Sequence, residues 1–84
     1  MAYEVKIASG ANREIERLPE QLRKRVFAEA AALAENPRHR GVIKLQGENL
    51  YLARIGDYRM IFEIHDSILL VLVLKIGHRS EVYK

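Results

Sequence analysis

The sequence predicts an α+β fold in the order β-α-α-β-β-β, with a helical hairpin packed on one face of a four-stranded, mainly antiparallel sheet. Two observations predict it. Apolar and polar residues alternate near the N-terminus, and strand-like runs fill the second half, whereas apolar residues recur at helical spacing between them. The 84 residues contain no repeat or linker, so we expect a single domain over residues 1–84.

The first strand and the two helices are delimited by local signals. Apolar and charged residues alternate over residues 3–8, which predicts the first strand. Ser9 is the expected N-cap of the helix that follows. Pro19 ends that helix and suits the first turn of the second one. The second helix is expected to end at Asn36-Pro37, because a proline disfavours helical conformation in the residue before it.

Three further strands are predicted in series, over residues 50–55, 58–65 and 68–76. Gly56-Asp57 joins the first two, a dipeptide typical of a β-hairpin. Asp66-Ser67 is expected to form a second two-residue loop. The last strand is apolar at consecutive positions, which indicates an interior place in the sheet. We therefore expect it to lie between the middle strand of the series and the N-terminal strand.

The first hairpin is expected to oppose two arginines. If Gly56 and Asp57 are the loop residues, Ile55 pairs with Tyr58 and Arg54 lies directly opposite Arg59. Like charges directly opposite each other destabilise a β-ladder. We therefore expect this pair to bind an anion between its guanidinium groups, and a phosphate is the natural candidate.

The predicted register divides the side chains of the sheet between two faces. One face is bulky and apolar and is expected to receive the helices. The other is apolar at one end and dibasic at the other, and nothing else in the chain is expected to cover it. Exposed apolar patches of this kind are typical of binding surfaces. The helix face comprises Tyr51, Ala53, Ile55, Tyr58, Met60, Phe62, Val71 and Val73, and the other face Leu50, Leu52, Arg54, Arg59, Ile61, Leu70, Leu72 and Leu74.

Composition and charge limit the function further. Cysteine is absent, which excludes disulfides, thiolate metal sites and cysteine nucleophiles and fits a reducing cytoplasm. No signal peptide is recognisable, and the longest apolar run falls far short of the ~20 residues of a membrane span, so we expect a soluble, cytoplasmic protein. The net charge of +3 arises entirely in residues 36–84, which hold eight basic and five acidic side chains. Such a bias is typical of a protein that binds nucleic acid or an acidic protein.

Four blocks of the sequence resemble the RelE toxins of bacterial and archaeal toxin–antitoxin systems: residues 44–47 (KLQG), 51–54 (YLAR), 56–62 (GDYRMIF) and 76–83 (IGHRSEVY). They occur in the family's order, and the resemblance covers essentially the whole chain. It implies a ribosome-dependent endoribonuclease that cuts mRNA in the ribosomal A site by attack of a 2′-OH on the adjacent phosphate, without a metal or other cofactor. It also implies a RelB-like antitoxin that wraps the toxin in a hetero-oligomer.

The resemblance assigns roles to individual residues. Arg59 matches the arginine that contacts the scissile phosphate, and Arg79 matches the one that stabilises the phosphate or the leaving group. Tyr83 matches a C-terminal tyrosine that stacks on a base or helps to move a proton. Arg54 matches a basic position on the preceding strand. Leu52 departs from the pattern, because well-studied members carry a second lysine there.

The proton carrier of such a reaction is left open by the sequence. An arginine stays protonated in proteins and is a poor general base. His78 is the nearby side chain whose unperturbed pKa lies near neutrality, whereas the pKa of Tyr83 would have to fall from its usual value of about 10. Lys44 and Lys75 are expected to attract RNA rather than to catalyse.

The apolar part of the second face is the predicted antitoxin-binding surface. Two other functions stay open beside the nuclease. One is a ParE-like toxin that inhibits DNA gyrase without nuclease chemistry, and the other is an inactive relative that serves as a binding module. The paired arginines and terminal tyrosine favour the nuclease, whereas Leu52 favours the inactive relative. The predicted antitoxin-binding residues are Leu50, Leu52, Ile61, Leu70 and Leu72.

Overall fold

A computed structural model describes residues 2–45 and 49–78 and confirms the α+β class, with two helices on one face of a mixed sheet. The strand order is β1-β5-β4-β3-β2, with β1 parallel to β5 and the other pairs antiparallel. The sheet has five strands rather than the predicted four, because a two-residue strand forms in the connection before the first hairpin. The elements are β1 Glu4–Ile7, α1 Ser9–Glu16, α2 Glu20–Glu35, β2 Ile43–Lys44, β3 Tyr51–Ile55, β4 Tyr58–His65 and β5 Leu70–His78.

The helix boundaries agree better with the predictions from Pro19 and Pro37 than with the prediction from Ser9. Ser9 is the first residue of α1, and the N-cap is Ala8, which provides no side-chain hydrogen bond, so the predicted capping role of Ser9 is wrong. Pro19 is the N-cap of α2, and Asn36 is its C-cap, as the following Pro37 predicts. Neither helix is long and apolar enough to cross a membrane, and the described part of the chain holds no other α-helix.

The hydrophobic core lies between the helices and the sheet. Seven of the residues predicted for the helix face belong to this core, and Tyr58 packs against it, so the predicted division of faces is confirmed on this side. Burying each large apolar side chain contributes about 1.5–3 kcal/mol. Its largest fully buried members are Phe62, Ile15, Leu33, Met60, Ile76, Val26, Val71 and Val73.

The first hairpin forms as predicted. Ile55 pairs with Tyr58, and Gly56 has a φ of +60°. Asp57 is not among the described residues with positive φ. A glycine with positive φ at the first central position is the pattern of a type II′ turn, whose twist matches that of the flanking strands. The turn therefore sets the register of β3 against β4.

The second connection is longer than the predicted two-residue loop. Asp66–Ile68 form a 3₁₀ turn, and Leu69 adopts a left-handed conformation with a φ of 51°. β5 consequently begins at Leu70. The start is displaced by two residues from the prediction, and because side chains alternate with a period of two, Val71 and Val73 still face the helices.

A β-bulge interrupts the pairing of β4 with β5. The register changes from Phe62 opposite Val73 to Ile61 opposite Lys75, which leaves Leu74 as an extra residue in β5. A bulge re-aims the side chains beyond it. Past Leu74, the even-numbered residues of β5 face the helices and the odd-numbered ones face away.

Candidate functional site

Arg54 on β3 and Arg59 on β4 lie directly opposite each other, on the sheet face that points away from the helices. Arg54 is exposed, whereas Arg59 is half-buried and its Nε is buried within the chain. Directly opposed residues have Cβ atoms about 5 Å apart, so both guanidinium groups can reach one anion. Within residues 2–45 and 49–78, Arg54 makes no hydrogen bond or ion pair.

The neighbouring strand β5 adds a glycine and a lysine to this face. Gly77 pairs with Arg59 and places no side chain beside it, and Lys75 pairs with Ile61. The Nζ atom of Lys75 lies 3.9 Å from Oε2 of Glu14 on α1. This ion pair draws the lysine charge towards the helix. Lys75, predicted to attract RNA, therefore shares the arginine face but is partly neutralised.

His78 lies on the opposite face. It pairs with Tyr58, which packs against the core, and the two rings make an edge-to-face contact with centroids 5.7 Å apart. The bulge at Leu74 causes this placement, because it reverses the alternation along β5. The register therefore separates the predicted proton carrier from the pair formed by Arg54 and Arg59.

Lys44 also lies away from the arginine pair. It pairs with Tyr51, a core residue, and lines a cavity of about 490 Å³ together with Arg38 and Val42. Its charge is exposed on the helix side of the sheet edge. The structure thus does not bring the two lysines predicted for RNA attraction together. Arg79 and Tyr83, also predicted for the site, lie outside the described residues.

The predicted open apolar face is wrong at two positions. Leu52 is 0% exposed and Ile61 9% exposed, so neither offers a surface to a partner. One reason is the unpredicted strand β2, which places Ile43 beside Leu52, so that the leucine is flanked on both sides. The accessible part of the predicted antitoxin surface is therefore reduced to three half-buried residues, Leu50, Leu70 and Leu72.

The sequence did not reveal a network around Asp66. Arg38 donates two hydrogen bonds to this carboxylate, from Nη1 to Oδ1 at 3.0 Å and from Nη2 to Oδ2 at 2.9 Å, and the Tyr3 hydroxyl donates to Oδ1 at 2.7 Å. The hydrogen bonds from Arg38 and then Tyr3 lower the pKa of Asp66 to about 2. The hydrogen bond to Asp66 raises the pKa of Tyr3. Residues so distant along the chain leave no local pattern that could predict their contact.

The two remaining histidines each contact one glutamate. Nε2 of His39 lies 2.6 Å from Oε2 of Glu29, and Nε2 of His65 lies 2.8 Å from Oε1 of Glu63. In the described ranges, no three His, Asp or Glu side chains are grouped so that they could hold a metal ion. The contact of His39 with Glu29 borders a cavity of about 410 Å³ that Arg54 also lines, whereas the contact of His65 with Glu63 lies within β4.

Comparison with known proteins finds relatives that cover nearly the whole chain. A family model described as ParE toxin of type II toxin-antitoxin system, parDE, matches residues 5–83. Toxin RelE of Mycobacterium tuberculosis is 34% identical over 91 residues, covering 98% of this chain and 87% of that protein. Toxin RelG of the same organism is 28% identical over 86 residues, covering 100% and 99%. A chain of the archaeal RelE-RelB complex from Pyrococcus horikoshii OT3 superimposes with a TM-score of 0.86 at 32% identity, covering 98% of this chain and 100% of that one.

Proposed function

The chain belongs to the ParE toxin family of type II toxin–antitoxin systems and is a RelE-like toxin, and on that premise we propose that it is an endoribonuclease that cuts mRNA on the ribosome. The observation that supports this most directly is the pair formed by Arg54 and Arg59. The hairpin predicted from the sequence places Arg54 and Arg59 on one face, and a phosphodiester bound between them would be contacted by both side chains.

The electrostatics of the pair favour an anionic ligand. Two like charges directly opposite each other cost stability in the absence of a counterion. Arg54 has no carboxylate partner in the described part of the chain, so its charge is available to a ligand. A guanidinium presents a planar fork of donors that matches two phosphate oxygens. The pair is therefore better suited to binding a phosphodiester than to stabilising the hairpin.

The proposed reaction breaks one bond of the RNA backbone and forms another. The 2′-oxygen of a nucleotide loses its proton and attacks the adjacent phosphorus, which forms a 2′,3′-cyclic phosphate. The bond from phosphorus to the 5′-oxygen breaks, and that oxygen takes up a proton. Negative charge grows on the non-bridging oxygens in the transition state, and a fixed cation such as Arg59 stabilises it. Arg54 orients the same phosphate, and Arg79 is the proposed third cation.

Proton transfer in this reaction is best assigned away from His78. Its imidazole contacts Tyr58 on the helix side of the sheet, whereas the phosphate would bind on the other side. A proton carrier has to come within hydrogen-bond reach of the group it deprotonates. Of the two carriers that the sequence offers, Tyr83 is therefore the preferred one.

Primer-extension mapping of an mRNA in a translating extract tests the nuclease. Wild type and the control Lys6→Gln, which removes an exposed charge from β1, are expected to give cuts phased with codons. Arg59→Gln is expected to lower the cutting rate by about 10²–10³-fold, the cost of removing one donor to transition-state charge. Equal cutting by Arg59→Gln and Lys6→Gln, with both variants folded by circular dichroism, would exclude the proposed role of the arginine.

A ParE-like inhibitor of DNA gyrase is the second candidate, because the matching family model carries the ParE description. Such a toxin acts by binding, without cutting nucleic acid. Purified wild-type protein is expected to leave the supercoiling activity of gyrase unchanged. Inhibition of supercoiling together with intact mRNA would favour this candidate over the nuclease.

The proposed partner is a RelB-like antitoxin, since the archaeal relative was solved as a RelE-RelB complex. We place its contact on the accessible leucines of the outer face, Leu50, Leu70 and Leu72. Leu70 and Leu72 lie in rows with charged residues of β1 and β4, so the surface is amphipathic. An amphipathic acidic helix would match both its apolar rows and its basic end. Action on ribosomes would place the toxin in the cytoplasm.

A further inference from the structure

A third arginine, Arg25 of α2, lies against the turn of the first hairpin. A methyl group placed on Gly56 would lie 3.1 Å from Nη1 of Arg25 and 3.9 Å from its Cζ. Gly56 is two residues from Arg54, which places their Cα atoms about 7 Å apart along the strand direction. The guanidinium of Arg25 therefore reaches the same end of the sheet as Arg54 and Arg59, from the helix side.

The guanidinium charge of Arg25 is not paired within the described part of the chain. The side chain is exposed and makes no hydrogen bond or ion pair there. Its neighbours on α2 differ: Arg23 donates to the carbonyl of Leu18 at 2.7 Å, and Nζ of Lys24 lies 3.6 Å from a carboxylate oxygen of Glu20. Arg23 and Lys24 therefore have local roles, whereas Arg25 is directed to the hairpin and has no counterion among residues 2–45 and 49–78.

The turn accommodates the guanidinium because it lacks a side chain. Gly56 exposes its backbone, and Nη1 and Nη2 of Arg25 lie within 4.0 Å of the position that a Cβ would occupy. Asp57 is the one carboxylate of the turn, and it forms no ion pair with Arg25 in the described residues. Three arginines thus lie near one turn, and of these Arg25 and Arg54 make no ion pair in the described part of the chain.

We propose that Arg25 binds a second phosphodiester of the RNA strand whose scissile phosphate lies between Arg54 and Arg59. This inference rests on the proposed function. Gly56, which Arg25 contacts, and Arg54 are two residues apart on the same hairpin, so neighbouring phosphates of one strand are the natural ligands of the two positions. Gly56 serves as the floor of this second subsite. The strand would then bend around the hairpin turn, from the outer face of the sheet towards α2.

Binding of uncleavable RNA tests the subsite. The probe is a fluorescent single-stranded oligonucleotide of 2′-O-methyl RNA, which lacks the attacking hydroxyl, and its anisotropy is measured at several salt concentrations. Arg25→Gln is expected to weaken binding about five-fold at low salt, the upper end for an exposed ion pair. It is also expected to reduce the slope of log K against log[salt] by about 0.7, the value for one phosphate contact on a single strand.

A matched control comes from the adjacent residue. Lys24→Gln removes the same charge one position earlier on α2, where the side chain pairs with Glu20, and it is expected to leave the slope unchanged. If Arg25→Gln matches Lys24→Gln while Arg59→Gln weakens binding, the second subsite is excluded and the arginine pair stands.

Oligonucleotide length separates the two subsites. With a dinucleotide, which has one phosphodiester, Arg25→Gln is expected to bind like wild type, and the difference should emerge with a trinucleotide. An equal loss with both probes would mean that Arg25 contacts the first phosphate, which overturns the subsite. If neither Arg59→Gln nor Arg25→Gln changes binding, the arginine pair of the proposed function fails as well.

Discussion

Arg54 and Arg59 face each other across the first hairpin, one residue pair away from its turn. Both residues lie on strands whose other face packs in the core. Separating the two side chains by moving the backbone would therefore disrupt core packing. The hairpin therefore holds two like charges together that would repel less in the unfolded chain. Such an arrangement would link binding to stability, because a phosphate that bound between the groups would stabilise the folded state.

Replacing one arginine of the pair should stabilise the free protein. Arg54→Thr is expected to raise the free energy of unfolding by about 0.5 kcal/mol, because it removes the opposed charge and keeps a residue that favours strands. Added salt should reduce this difference in unfolding free energy between Arg54→Thr and wild type, because it screens the repulsion between the two charges. Urea titrations at low and high salt measure it.

The control for that change is Lys6→Thr. Lys6 is an exposed cation on β1 that pairs with Leu72 rather than with another charge. Its replacement should change stability little, and independently of salt. Equal effects of Arg54→Thr and Lys6→Thr would show that Arg54 and Arg59 do not repel in the free protein.

The contact between Arg38 and Asp66 predicts a pH dependence. The pKa of Asp66 is lowered from 3.8 to about 2 in the folded protein. Its contribution to stability is therefore fully present above pH 3.8 and is lost as the pH falls towards 2. Asp66→Asn should lower Tm at pH 7, and the difference from wild type should shrink across that interval. Thermal melts followed by circular dichroism from pH 7 to pH 2 measure it.

Asp57→Asn is the control for the same titration. Asp57 lies in the first hairpin turn and makes no ion pair in the described part of the chain. The Tm difference between Asp57→Asn and wild type should not follow the profile seen for Asp66→Asn. If the two profiles coincide, the contact of Asp66 with Arg38 does not cause the pH dependence.

Substitution by alanine should have opposite effects on the free energy of unfolding at Gly56 and at Gly10. Gly56→Ala forces an L-residue to adopt a φ of +60° and brings its Cβ to 3.1 Å from Arg25, so we expect a loss of about 1–2 kcal/mol of unfolding free energy. Gly10 lies in α1 and has open space at its Cβ position. Gly10→Ala should stabilise by up to about 1 kcal/mol.

The double variant Gly56→Ala/Arg25→Gln separates strain from contact. If the loss at Gly56 arises from its backbone angle, removing the guanidinium should recover little of it. If the contact with Arg25 dominates, the double variant should regain most of the lost stability. Chemical denaturation of the two single variants and the double variant completes the cycle.

The antitoxin surface can be tested at Leu72. Leu72 is half-buried on the outer face, between Lys6 and Glu63, and Leu72→Glu is expected to weaken binding of the cognate antitoxin about tenfold by calorimetric titration. Ile68→Glu introduces the same charge at a residue that is 66% exposed in the second turn, and it should bind normally. Leu52 is unsuitable for this test because a charge at a fully buried position would unfold the protein.

Local signals account for the parts of the fold that the sequence predicts well. The first hairpin is set by Gly56 and its neighbour, because the loop length fixes the pairing of every residue behind it. The second helix ends before Pro37, since proline restricts the residue that precedes it. The face assignment of Arg54 and Arg59 follows directly from these rules, and so the central feature of the site was accessible from the sequence.

The remaining features depend on contacts between distant residues. β2 has two residues and exists through its pairing with β3, so no alternation could reveal it. The bulge at Leu74 lies in a strand that is apolar on both faces, where a shift of alternation leaves no trace in the pattern. The burial of Leu52 and the approach of Arg25 to Gly56 depend in turn on how whole elements pack.

The extra residue at Leu74 decides on which face of the sheet the side chains at the end of β5 lie. If Leu74 paired with Ile61 in a regular ladder, the pairing beyond it would shift by one residue, so that Ile76 would lie opposite Arg59 and His78 would turn to the outer face. The imidazole would then share a face with the guanidinium of Arg59, and the isoleucine would leave the core. The bulge therefore keeps Ile76 buried and holds the imidazole away from the arginine pair.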